Sequence, residues 1–167
     1  ERALGREPTA ATAMIERIHA AQAGFDQKRE IALNTSKLPD PVSTDKERIA
    51  IAKKILNNPE YQFGRHENII LTTDSIVERE REDSEIDIDD AEVTLGGDLK
   101  MSGTKTTWNY KWKEFKFATA LKEDDSDIWY IWWITAKNFS SGDSRTPLNQ
   151  WISGRATKGN RILKVNL

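Results

Sequence analysis

The chain has no cysteine. That absence removes disulfide scaffolds, thiol nucleophiles and Cys-ligated zinc in one step, and it is compatible with either an exported or a cytosolic protein. Histidine is nearly as scarce: His19 and His66 are the only two, and no H-E-x-x-H or similar metal spacing exists. Neither G-x-S-x-G nor G-x-x-x-x-G-K-[ST] occurs, so a nucleophile elbow and a phosphate loop are both excluded. No apolar run approaches the ~18–20 residues of a membrane-crossing helix. A surplus of charge is missing too. The 25 basic and 27 acidic residues leave a net charge of −2, which offers no overall field to nucleic acid or an anionic membrane.

What is present is tryptophan, concentrated in one place. Five of the six tryptophans lie in Thr104–Phe139, in two apolar runs separated by the polar cluster Glu123–Asp127. Aromatic and β-branched runs around a turn-forming cluster predict two strands of a long hairpin. In the first strand Trp108, Tyr110 and Trp112 alternate with Asn109, Lys111 and Lys113. After Lys113 the parity changes, and Phe115, Phe117, Thr119 and Leu121 carry the apolar side. Either a β-bulge near Lys113–Glu114 keeps both sets on one core, or the strand passes between two apolar environments; the bulge is the expectation. The second strand, Ile128–Phe139, is apolar on both parities in its first half, as suits a strand covered on both faces.

Upstream, Glu1–Glu7 is a charged lead-in. Pro8 and Thr9 open a helix from Ala10 to about Leu33, with Met14, Ile18, Ala21 and Phe25 on one face. That stripe is expected to lie on the sheet. Leu38–Val42, with two prolines, is a linker. Thr44–Glu47 is a capping-box pattern for a second helix, Asp45 to Leu56, which buries Ile49, Ala52 and Leu56 or the neighbouring Ile51 and Ile55; Asn57-Asn58-Pro59 ends it. Ile69 to about Glu82 reads as a strand, with a helical stretch over 74–82 as the alternative. Glu85–Leu95 reads as a half-exposed strand broken or bulged at Asp90. Gly96-Gly97-Asp98 and Ser102-Gly103 are turn signals. After Phe139 come a surface loop, a short apolar Leu148–Ile152, and a final strand at Arg161–Leu167.

This order predicts one α+β domain over residues 1–167: two N-terminal helices on a curved antiparallel sheet of four to five strands, with 1–9 as lead-in and 140–167 as loop plus strand extension. From Ala10 to Phe139 the element order, and the polar turn followed by WYIWW, resemble the NTF2-like or cystatin-like superfamily. The resemblance implies an N-terminal helical part packed into a bent antiparallel sheet. It leaves open a choice among isomerases, dehydratases and non-catalytic binding or assembly domains.

Trp108, Tyr110 and Trp112, at i, i+2 and i+4, form a platform that could stack on sugars, bases or an apolar partner if exposed; as core side chains they would lie under the helices. Trp129 and Trp133 pose the same question, and Trp132 joins the candidate binding set. The acids Asp83, Glu85, Asp87, Asp89 and Asp90 suggest calcium, but an EF-hand count from Asp83 places Ile88 at position six and Thr94 at twelve, where Gly and Glu are needed. A solvated edge strand explains them better. Lysines 105, 111, 113 and 116 interleave with aromatics, as on oligonucleotide surfaces, and the neighbouring acids argue against that reading. As catalytic candidates, His19 could act as acid or base, and Asp74, between Ile70 and Ile76, is the carboxylate most open to an apolar cavity and a raised pKa. His66 falls in a loop. Two N-x-S sequons, at Asn34 and Asn138, are of a kind common by chance.

The expectation is a non-catalytic domain that binds a small molecule, a carbohydrate or a protein partner through Trp108, Tyr110, Trp112 and Trp132. It has no cofactor, no metal, no nucleic-acid partner and no membrane span, and homodimerises through its sheet. The alternative is a small pocket enzyme (isomerase, dehydratase or hydrolase) with Asp74 or His19 as base. The chain begins with Glu1 rather than Met and reads as a processed or trimmed form; an extracytoplasmic location is expected.

Overall fold

A computed structural model describes residues 9–93, 95–122 and 128–167. The lead-in Glu1–Glu7, the polar cluster Glu123–Asp127 and Thr94 lie outside the described residues. The protein is α+β: helices α1 (Thr9–Thr35) and α2 (Lys46–Leu56) precede five strands, β1 (His66–Leu71), β2 (Val77–Val93), β3 (Leu99–Lys122), β4 (Trp129–Ser141) and β5 (Trp151–Ile162). The five strands pair antiparallel, in the order β1-β3-β4-β5, with β2 also on β3.

β3 is the spine. Its inner half pairs with β1 (Leu71 opposite Phe117) and its outer half with β2 (Val77 opposite Glu114) along the same edge. The expected strand Ile69–Glu82 is therefore two strands, separated by an excursion over Thr72–Ile76. The Thr72 amide still donates to the Lys116 carbonyl at 3.0 Å, and the Lys116 amide donates to Thr73 Oγ1 at 3.1 Å.

α2 supplies the helix layer. Ala52, Ile55 and Leu56 are buried against Leu71, Phe115, Phe117, Leu121, Ile134 and Ala136, with Ile49 and Ile51 partly buried beside them. Each such aliphatic side chain contributes about 1.5–3 kcal/mol when fully buried. The helix is capped by Asp45 rather than Thr44: the Asp45 carboxylate accepts from the amides of Glu47 and Arg48, satisfying donors that the first turn leaves open.

On the opposite face Ala118, Ala120, Trp129, Ile131 and Ile162 form a second core with Leu38 of the linker; Ile70 and Leu167 pack against it. Extended chain covers that face, and this bears on α1. The expected stripe does not lie on the sheet. Met14, Ile15, Ile18, Phe25 and Ile31 are 47–78% exposed. The carboxyl end of α1 is tied down, where the Asn166 side chain donates to the carbonyls of Asn34 and Ser36. The reason is one of occupancy: α2 takes one face and Leu38 with Leu167 the other, while the Ala-rich sequence of α1 sustains a helix by propensity.

No bulge interrupts β3 at Lys113–Glu114, where its register against β2 runs unbroken. The irregularity lies against β4 at Lys111/Trp112, with Ser140 the extra residue. The parity change has the other meaning: even-numbered Trp108–Trp112 and odd-numbered Phe115–Leu121 lie on opposite faces. A bulge near Asp90 is present, between Ile88 and Asp90. Ser102-Gly103 is not a turn but part of β3. A Cβ at Gly103 would stand 2.3 Å from the Asp87 carbonyl oxygen, so the residue there answers a close approach of backbones. The turn falls at Gly96-Gly97, with Gly97 at φ 86°. Finally, the last strand is Trp151–Ile162, and Lys164–Asn166 is a short 3-10 turn, not the strand expected over Arg161–Leu167.

Candidate functional site

The site with the strongest ligand chemistry lies on the α2 face, at the end of the sheet where β3 finishes and β4 begins. A cleft of about 310 Å³ is lined by Tyr61, Gln62, Phe63, Gly64, Leu121, Lys122, Tyr130, Trp132 and Lys158. The sheet provides the floor. Tyr130 and Trp132, two apart on β4, share a face, and Lys158 on β5 lies opposite Trp132 in register. The loop after α2 provides the wall. Asn58 caps the turn Pro59–Tyr61, and Gln62 then takes a left-handed conformation at φ 49°, which turns the chain so that Tyr61 and Phe63 both face the cleft.

The rings form a connected series. Tyr61 and Phe63 stand 5.8 Å apart, and Phe63 meets Trp132 edge to face at 6.2 Å and 73°. Lys158 Nζ stands 3.6 Å over the Tyr130 ring, a close cation–π contact. Tyr61, Phe63, Tyr130, Trp132 and Lys122 are half-buried and Lys158 is exposed. The result is an apolar concavity whose lining also carries polar groups: Gln62, two tyrosine hydroxyls and the Lys158 ammonium. Concave sites of predominantly aromatic lining with a few placed polar groups are the usual form of small-ligand sites.

Of the residues singled out from the sequence, Trp132 lies in this cleft. The other three do not. Trp108, Tyr110 and Trp112 are on the opposite face, half-buried, and not beneath a helix. Their surroundings are the chain's own. Lys137 Nζ lies 4.5 Å above the Trp112 ring, Trp112 Nε1 donates to Glu114 Oε2 at 2.7 Å, and Phe139 packs at 5.6 Å. The Arg81 guanidinium covers Tyr110 at 5.4 Å. Desolvation raises the Tyr110 pKa above its ordinary value, helped by the charge of Asp143 and a hydrogen bond to it. Asp143 itself is held below the usual carboxylate range, chiefly by accepting from Thr146 Oγ1 at 2.6 Å. Trp129 is buried in the second core, and Trp133 is 44% exposed.

The catalytic candidates are placed elsewhere. Asp74 lies not on a strand but in the exposed excursion between β1 and β2, where its carbonyl, not its carboxylate, is engaged, accepting from Arg48 Nη2 at 2.7 Å. His19 sits on exposed α1, and His66 begins β1 in a groove with Ile49 and Asn68. The acids of the 83–90 run lie on the edge strand β2, exposed throughout. Tyr61 and Phe63 escaped the sequence reading. The signal was there in PEYQFG: aromatics two apart, straight after a helix stop and before a glycine, are too few for a strand and too apolar for a plain loop.

No helix among the described residues is long and apolar enough to cross a membrane. Comparison with protein-family models, with curated proteins and with solved structures returned no match.

Proposed function

We propose that this is a non-catalytic binding domain whose ligand, a small ring-bearing molecule of the carbohydrate class, seats in the cleft of Tyr61, Phe63, Tyr130 and Trp132. The observation that carries the reading is the cleft's composition: Tyr61, Phe63 and Trp132 in a series of ring contacts, Tyr130 beside Trp132 on the same strand face, and Gln62 and Lys158 in the lining. Ring faces supply apolar area for the C–H side of a sugar, and the amide and ammonium groups can donate to hydroxyl or carboxylate oxygens. Among the described residues lining the cleft there is no carboxylate and no histidine. A general base must lie within hydrogen-bond reach of its substrate, and neither Asp74 nor His19 lines the cleft, so binding is preferred over the isomerase or hydrolase alternative built on them. The NTF2-like or cystatin-like element order admits both classes and leaves the choice to the cleft's own chemistry.

The test is titration with neutral and uronic-acid oligosaccharides, followed by intrinsic tryptophan fluorescence and by ligand-observed NMR. A saturable signal is expected that Trp132→Ala abolishes and Lys158→Met weakens, the latter most for uronic acids. Trp112→Ala, on the far face, leaves binding unchanged. Silence across the panel at millimolar ligand, or equal loss in Trp112→Ala and Trp132→Ala, removes the proposal.

A further inference from the structure

β2 and β3 run on together well past the rest of the sheet. The last pairing of β4 with β3 is at Lys111, whereas β2 and β3 stay paired to Val93 opposite Leu99. Residues 83–93 and 99–108 therefore form a two-stranded arm, roughly 30 Å long at ~3.3 Å per residue. A lone two-stranded ribbon is marginal in water without a third strand or a packed face.

The arm has two unlike faces. Opposite Thr104 and Thr106 stand Asp87 and Glu85, and the same face carries Asp83, Asp90 and Glu92. The other face carries Ile86, Ile88, Ala91, Val93, Leu99 and Met101, around Gly103, with Lys105 opposite Ile86 at its inner end. The bulge at Asp89 is what makes this face continuous. Ile86 and Ile88 are even-numbered while Ala91 and Val93 are odd-numbered, and one extra residue brings both pairs to the same side. The stripe is open: Ile86, Ile88, Val93, Leu99 and Met101 are 59–68% exposed, and Leu95 at the tip is fully so.

From these observations we infer that a second copy of this chain covers the stripe, arm against arm about a two-fold axis. Taking ~60–120 Å² of apolar surface per side chain, six side chains exposed by about three-fifths present roughly 200–450 Å² per copy, near the largest patch a monomer ordinarily shows. Two stripes face to face bury about 400–900 Å² of apolar surface. With the polar share that interfaces carry, the total is about 700–1,500 Å², which spans the ~1,000 Å² of a specific interface. The charges select this mode over its competitors. Stacking on the other face sets Asp83, Glu85, Asp87, Asp90 and Glu92, offset in each copy only by Lys100, against the same residues. Side-by-side growth along β2 meets the same acids and the bulge, which are ordinary guards of a strand edge. One face remains, so association stops at two copies rather than extending.

The absence of cysteine makes the test direct, because any disulfide in a single-cysteine variant joins two chains. Under mild oxidation Ile88→Cys and Met101→Cys are expected to give covalent dimers, whereas Thr106→Cys, on the acidic face, gives none. The unaltered chain sediments as a dimer at high micromolar concentration. Ile88→Lys combined with Met101→Lys weakens the dimer at least ~10-fold, since each charge meets its own copy, with the circular dichroism and melting of the two cores retained. A wild-type monomer at that concentration overturns the inference. So does cross-linking of Phe25→Cys on α1 with none at Ile88 or Met101, and so does equal cross-linking at Thr106.

Discussion

Arg48 is the one charged residue buried among the described residues, 4% exposed, and it offers the sharpest test of how the helix layer is held to the sheet. Its Nε donates to Asp45 Oδ2 at 3.1 Å, Nη1 to the Thr73 carbonyl at 3.0 Å, and Nη2 to Ser43 Oγ and the Asp74 carbonyl, both at 2.7 Å. One guanidinium thus ties the cap of α2 to the excursion that separates β1 from β2. Arg48→Met keeps the stem and removes the fork. Hydrogen bonds to a charged group are worth about 1.5–3 kcal/mol each, but the freed acceptors border solvent and regain water, so the four do not add. Breaking a buried ionic contact costs about 3–5 kcal/mol. The expected loss is about 3 kcal/mol, or a fall in Tm of roughly 6–12 °C for a chain of this size. Arg48→Lys restores little, since an ammonium group cannot reproduce the fork. The assay is thermal and urea unfolding with amide exchange; the amides of Thr72 and Lys116, bonded across the excursion, should lose protection first. The Asp45 pKa is lowered, mainly by the Arg48 amide, with the guanidinium and the Glu47 amide adding to it. A lowered carboxylate pKa contributes stability above pH ~4 that is lost as pH falls through the folded value, so the acid limb of the stability curve should be shallower in Arg48→Met. A loss below about 1 kcal/mol, with both amides still protected, would refute the reasoning.

Two further outcomes follow from the core and from the far face. Phe117→Ala empties a fully buried position between α2 and the sheet and should cost about 3–5 kcal/mol in urea unfolding, whereas Met14→Ala on exposed α1 should change stability by less than about 1 kcal/mol. Of the three tyrosines, Tyr110 should ionise above the ordinary tyrosine range in an absorbance titration. Because its folded pKa is raised, the associated stability is complete below pH ~10 and is lost as pH rises through the folded value. Asp143→Asn should bring the titration part of the way back, and only part, since desolvation is the larger cause.

The hairpin was legible because its signal is local. Alternation of Trp108, Tyr110 and Trp112 with polar residues, and the unbroken apolar run from Ile128, each specify strand and burial within a few residues. The same holds for α2, whose stop at Asn57-Asn58-Pro59 is a matter of neighbouring backbone chemistry. The bulge at Asp89 was signalled by the switch of apolar parity around Asp90. Trp132 was legible as an aromatic strand residue for the same local reason, whereas the cleft wall beside it was not: Tyr61 and Phe63 lie some 70 positions upstream, and only the packing of the loop after α2 against the sheet brings Phe63 within 6.2 Å of the Trp132 ring.

What the sequence determined by itself is therefore the set of elements and the side of each strand on which an apolar residue falls, since both depend on periods of 2 and 3.6 residues. What only the tertiary structure decided is which surfaces those sides meet. The stripe of α1 reads as a core stripe, yet the sheet has two faces, and α2 and Leu38 with Leu167 occupy them. The parity change after Lys113 reads as a bulge in preference to a change of face, and the unbroken β2–β3 register overturns that reading. Nothing in a local pattern says which apolar surfaces already have partners, because burial is a competition among distant segments for the same area. That competition leaves α1 and the β2–β3 arm exposed and gathers Tyr61, Phe63, Tyr130 and Trp132 into one cleft.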